Sequence, residues 1–103
     1  MRILLAAGTL PEMIFAVADT MALGALGVMR QAGVRVPQDV ALAGFNDIST
    51  LRDVTPALTT VRLPLHALGH MATELALAGS GDEPEIRTVH TELVIRDSTP
   101  RLR

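Results

Sequence analysis

Residues 13–47 read "MIFAVADTMALGALGVMRQAGVRVPQDVALAGFND", and the order of residue types in this stretch decides the fold class. It opens on a continuous apolar run, Met13 to Ala18, with β-branched and aromatic members and no alternation. That is the pattern of a strand covered on both faces, as in a parallel sheet. Asp19 follows with Thr20 beside it, and either side chain can cap the helix that begins next. From Met21 to Ala32 the residues are good helix formers, and Gly33 stands where a helix ends. After "GVRVPQD" comes a second apolar strand, Val40 to Gly44, with a crossover long enough for parallel pairing. The stretch is therefore one βαβ unit. Its helix is apolar nearly all round, with Met21, Leu23, Leu26, Val28 and Met29 spread over the circumference. One sheet face cannot hide such a helix, so a second surface must cover the rest.

Working outward, "RILLAA" at residues 2–7 reads as the tail of a helix, broken by Gly8 and Pro11. Residues 46–60 form a loop of functional length with a short helical turn around Ser49 to Asp53. "LTTVRLP", residues 58–64, is an extended piece ended by Pro64. "LHALGHMATELALAG" then places apolar residues at 65, 68, 72 and 75, a helical stripe. Gly79 to Pro84 breaks that helix, "IRTVHTELVIR" at 86–96 is a last extended segment, and "DSTPRLR" is a tail.

A chain of 103 residues supports one domain and one core at most. Phe15 and Phe45 are its only aromatic residues and it has no cysteine, so the core is aliphatic and disulfide or Cys-ligated zinc is excluded. Acidic and basic residues are scattered at a formal charge of −2, which argues against a nucleic-acid-binding surface on this segment. The apolar runs are too short to span a membrane, and the start "MRILLAAG" has too short an apolar region for a signal peptide. A cytoplasmic location and no membrane partner are expected.

Three ordered motifs carry a resemblance: "IFAVADTMALGALGVMRQAGVRVPQDVALAGFNDI", then "TPALTTVRLPLHALGHMATELAL", then "TELVIRDST". Together they resemble the C-terminal part of the lac repressor family of bacterial transcription regulators, from about Pro11 to Thr99. The resemblance implies an α/β fold, a partial doubly wound parallel sheet from the end of the second lobe of a periplasmic-binding-protein-like sensor. In that scheme residues 11–58 are the βαβ unit of the second lobe, 59–79 the crossover and a helix of the first lobe, and 85–97 a return strand. Residues 1–103 would then be a single incomplete sensor fragment without the DNA-binding part. Operator DNA would be a partner only through that absent domain, and the partners of this segment would be a sugar-like effector and a second copy of the chain. Two other readings remain open: a periplasmic-type sugar-binding component of a transporter, and a non-functional truncated remnant.

Ligands of open α/β sheets bind beyond the carboxyl ends of the strands. The candidate contacts are accordingly Asn46 and Asp47 after the second strand and Asp19 after the first. The resemblance implies a ligand contact at the residue after the Gly–aromatic pair, commonly Asp in the family and Asn46 here. In the family a polar residue, often Asn, makes another contact just before the Asp that opens the helix; here that position is Ala18, and the contact is lost. Against these readings, Asp19 can serve as a helix cap and Asn46 as a loop-starting residue. The resemblance also places a side-by-side dimer interface on Leu23, Leu26, Gly27, Arg30, Leu51 and Val54, unless the helix packs on the rest of its own lobe. His66, His70 and Glu74 sit at four-residue steps suited to a metal, but equally to a solvated helix face, and no metal or cofactor is expected. Ser49, Ser80 and Ser98 have no nearby His with a partner and there is no Gly-rich phosphate loop, so no enzymatic activity is expected.

Overall fold

Residue order in the 13–47 stretch predicts strand, helix and parallel strand, and all three form. A computed structural model describes residues 1–79 and 85–100. After a short helix α1 (Arg2–Ala6) come β1 (Met13–Phe15), α2 (Asp19–Gln31) and β2 (Ala41–Ala43). A 3-10 turn at Ser49–Arg52 leads to β3 (Thr60–Arg62), α3 (Leu65–Ala78) and β4 (Glu92–Val94). β1 and β2 pair in parallel with Met13, Ile14 and Phe15 opposite Ala41, Leu42 and Ala43. β3 and β4 pair antiparallel, Thr60 opposite Val94. Isolated parallel bridges, Ala43 with Thr59 and Asn46 with Arg62, join the two pairs, so the strands lie side by side in chain order.

Strand alternation decides what is buried. Leu42 points to α2 and joins Ala22, Leu26 and Met29 of that helix, with Val40, Leu51 and Leu58, in the core. Met13 and Phe15 point the other way and remain 51% and 54% exposed, so β1 is covered on one face only, not on two as its unbroken apolar run predicts. That open face forms a cleft of about 420 Å³ lined by Met13, Phe15, Ala43, Val61, Leu93 and Ile95.

The end of α2 holds, while its start, the end of β1 at Phe15 rather than Ala18, and the C-terminal segment differ. Gly33 ends α2 at φ 72, a conformation that only glycine adopts freely, and its N–H donates to Arg30 O. At the other end the N-cap is Ala18, in extended conformation, rather than Asp19 or Thr20. Asp19 is already helical and its carboxylate turns inward to other partners. The segment read as a tail is also different. Ser98 is fully buried and stitched to its neighbours: its N–H donates to Ala57 O, its hydroxyl to Leu42 O at 2.6 Å, and Thr59 N–H donates to that hydroxyl at 2.8 Å. The expected break at Gly79 to Pro84 begins at Gly79 with φ 79, while residues 80–84, Ser80 included, and the last residues 101–103 lie outside the described residues.

α3 follows its predicted stripe but buries none of its residues. The chain consequently extends 53 × 28 × 24 Å with a radius of gyration of 17.4 Å. A compact domain of this length would have one of about 13 Å.

Candidate ligand-binding site

The carboxyl ends of β1 and β2 meet where the chain turns from Gly44 to Ile48. Asp19 is the hub of that turn. Its Oδ2 accepts the Ile48 N–H at 2.9 Å and its Oδ1 accepts the Thr60 hydroxyl at 2.6 Å, while its own N–H donates to Phe45 O. With both oxygens used and no exposed surface, Asp19 braces the edge from behind and offers no free atom to a ligand. The same packing explains Gly44: a Cβ there would collide with Asp19 Oδ1 and stand 3.1 Å from Leu58 Cδ2. Phe45, half-buried, packs edge-to-face on Phe15 with ring centroids 6.4 Å apart.

Asn46 and Asp47 follow in left-handed backbone, φ 118 and 56. Non-glycine residues adopt such angles at a cost of order ~1–3 kcal/mol each, and only when the surroundings over-determine them. Here Asn46 N–H donates to Val61 O and Asp47 N–H to Thr60 Oγ1. The Asp47 carboxylate, 4% exposed, takes Arg62 Nε at 2.7 Å on one oxygen and Arg96 Nη2 at 2.6 Å on the other. Burial pushes its pKa up, but the hydrogen bonds from Arg96 and Arg62, reinforced by their charges, outweigh it and hold the carboxyl below its ordinary value. Arg96 also donates to Leu58 O, and Arg62 reaches Glu92. Asp47 is thus committed to protein partners.

Asn46 is different. Among the described residues its side-chain amide has no hydrogen-bond partner, and it is only partly buried. It opens on a cleft of about 440 Å³ lined further by Arg52, Arg62, Leu63, Pro64 and His66. An amide there can both donate to and accept from a hydroxyl.

The expected interface residues divide into two groups. Leu26 and Leu51 are core residues, 5% and 0% exposed, and cannot lie on an outer interface: α2 turns Leu26 onto β2, and the 3-10 turn folds Leu51 beneath it. Leu23, Gly27 and Val54 are half-exposed, and Arg30 is exposed, donating to Thr55 O at 2.6 Å across to the loop that carries Val54. On α3, His70 Nδ1 lies 3.4 Å from Glu74, which also takes Arg87. Among the described residues no set of His, Cys, Asp and Glu converges on a common metal position.

Sequence reasoning missed Thr60, Arg62, Arg96 and Ser98. Alternation in "LTTVRLP" puts Thr60 and Arg62 on one face of β3, which was the available signal for the first two. Nothing local marks Arg96 and Ser98, whose partners lie 37 to 56 residues away.

Residues 2–99 match the family described as periplasmic binding protein-like domain. The chain is 43% identical over 89 residues to the HTH-type transcriptional regulator GalR of Escherichia coli K12, covering 82% of this chain and 26% of that regulator. It is similar to the structure of a putative LacI-family transcriptional regulator of Sanguibacter keddieii, with a TM-score of 0.81, 38% identity and coverage of 93% of this chain and 37% of the other. A LacI-family regulator of Enterococcus faecium solved with bound ribose gives a TM-score of 0.80 at 26% identity, over 95% of this chain and 38% of that one. The chain thus spans about a quarter to two fifths of each of these proteins.

Proposed function

The chain belongs to the periplasmic binding protein-like family, within the sensor part of LacI-family transcriptional regulators, and from that premise we propose that the edge around Asn46 binds a small-molecule effector. A sugar or similar polyol fits the chemistry of the edge. The carrying observation is the Asn46 amide, which lacks a protein partner among the described residues and faces a cleft at the carboxyl end of the parallel strands. Asp19 and Asp47 serve the same site by holding that amide in place. Residues 11–58 act as the second-lobe unit, 59–79 as crossover and first-lobe helix, and 85–97 as the return segment.

In an intact cytoplasmic regulator, effector bound at this edge biases the closure of two lobes and so the spacing of paired DNA-binding heads. This segment supplies effector contact and a dimer patch of Leu23, Gly27, Arg30 and Val54, while DNA contact lies elsewhere. The ribose bound to the Enterococcus faecium regulator supports the polyol class. Titration of the ¹⁵N-labelled chain with D-ribose, D-galactose and D-glucose, followed by NMR, tests the site. Weak binding with a Kd of ~1 mM or above, shifting the Asn46 side-chain amide and abolished by Asn46→Ala, is expected. Shifts elsewhere, or none with any of the three sugars, would sink the assignment.

A further inference from the structure

Asp47 stands immediately after Asn46, whose amide has no partner among the described residues, yet both of its own oxygens are turned away into ion pairs. The partners come from two different places. Arg62 closes β3, just before α3, and Arg96 follows β4, on the chain's return from α3. β3 and β4 are therefore the two stalks between the α/β body and the α3 end of the molecule, and one carboxylate grips both.

Asn46 and Asp47 are held in left-handed backbone although neither is glycine. Backbone hydrogen bonds to Val61 O and Thr60 Oγ1 register the turn against β3, but they are made by main-chain N–H groups whose direction depends on those same φ angles. The ion pairs are the side-chain restraint, and the inner one is almost wholly removed from water, with Asp47 at 4% and Arg96 at 14% exposure, while Arg62 on the outer side stays 42% exposed. Arg96 is itself fixed, since its second nitrogen donates to Leu58 O at 2.9 Å and its own N–H donates to Thr59 Oγ1.

From this geometry we infer that Asp47 is a positioning residue: clamped by Arg62 and Arg96, it holds the strained turn that aims Asn46 into the cleft, and so ties the ligand-facing amide to the strands that carry α3. The inference rests on the reading of Asn46 as the ligand contact. Its direct content, however, is structural and can be measured without any effector. The pose of Asn46 and the placement of β3 and β4 form one coupled unit, and releasing either arginine releases the amide.

The test follows the φ angles of Asn46 and Asp47 and the Asn46 side-chain amide by NMR in the full chain, without ligand. Asp47→Asn removes the charge, Arg96→Lys keeps the charge but loses the two-nitrogen fork, and Glu92→Gln loosens only the exposed outer partner of Arg62. Expected is loss of positive φ at Asn46 and a shifted Asn46 amide in the first two variants, with the Leu42 and Met29 methyl signals unmoved and Glu92→Gln silent. Retained positive φ at both residues in Asp47→Asn overturns the inference, as does an equal response to Glu92→Gln. If Asp47→Asn does not fold, Arg96→Lys decides alone, with unchanged turn geometry overturning the inference. Absence of sugar binding with this pattern intact would sink the effector reading and leave the clamp standing.

Discussion

Gly44 is the residue on which the carboxyl edge of the parallel strands closes. It sits against Asp19 and Leu58 so tightly that any side chain displaces backbone as well as carboxylate, since a Cβ would also lie 3.2 Å from Asp19 Cα. Gly44→Ala should therefore lower unfolding free energy by about 2 kcal/mol in a urea melt, the scale of an overpacked core site. Gly24→Ala, in the exposed middle of α2 with nothing within 4 Å, should raise it by about 0.5–1 kcal/mol. A strand stopping at glycine was legible in the sequence, but its reason was not, because the carboxylate that requires it is 25 residues earlier in the chain. Asp47 gives a second prediction. Its folded pKa lies below the unfolded value, so its contribution is complete above the ordinary carboxylate range, near pH ~4, and is lost as pH falls through and below that range. Asp39, held at about 2 by Arg35, has the same sign but sits on the exposed surface. Stability measured against pH should then fall on the acid side in 1 M salt as well as at low salt, because the buried pair is poorly screened. Asp47→Asn should flatten that acid limb, and a limb that vanishes in salt would assign it to surface pairs instead.

At the scale of elements, the predicted and observed pieces agree where periodicity speaks and part where it is silent. The stripe at 65, 68, 72 and 75 gives α3 from Leu65 to Ala78, and the apolar runs give β2 within one residue at each end and the start of β1, which stops at Phe15, three residues short of Ala18. The segment from Asp97 onward is short, polar and aperiodic, so it reads as a tail, yet Ser98 bridges β2 to the 57–59 segment by four hydrogen bonds. Such a stitch leaves no sequence pattern, because one hydroxyl satisfies backbone groups fixed by distant elements. Ser98→Ala strips a partner from both Thr59 N–H and Leu42 O inside the core. It should cost at least about 2 kcal/mol in a urea melt, whereas Asp97→Ala, one residue earlier and exposed, should stay within about 0.5 kcal/mol. Equal small effects would mean that water reaches those groups and that the segment is loosely attached.

Over the whole molecule, the α/β body and the outlying α3 place different demands on their surroundings. The all-round apolar character of α2 told from sequence that a second surface is needed, but not which residues face it, since every face of the helix reads alike. The structure separates them: Ala22, Leu26 and Met29 go to the core, while Leu23, Gly27 and Arg30 stay at the surface beside Val54. If this remaining patch joins two copies, a charge placed on it should split them while the buried core of Ala22, Leu26 and Met29 stays in place, although Leu23 packs on the edge of that core. Leu23→Glu should shift the chain from dimer to monomer in sedimentation equilibrium at tens of micromolar, with helix content unchanged by circular dichroism. Leu26→Glu is useless for this purpose because it buries an unpaired carboxylate and unfolds the body. Leu77→Glu on α3, 83% exposed, is the matching control and should leave the association state unchanged. The reverse result, with Leu77→Glu giving monomer and Leu23→Glu having no effect, would move the contact to α3. The second apolar face of α2 would then be left for the rest of its own lobe.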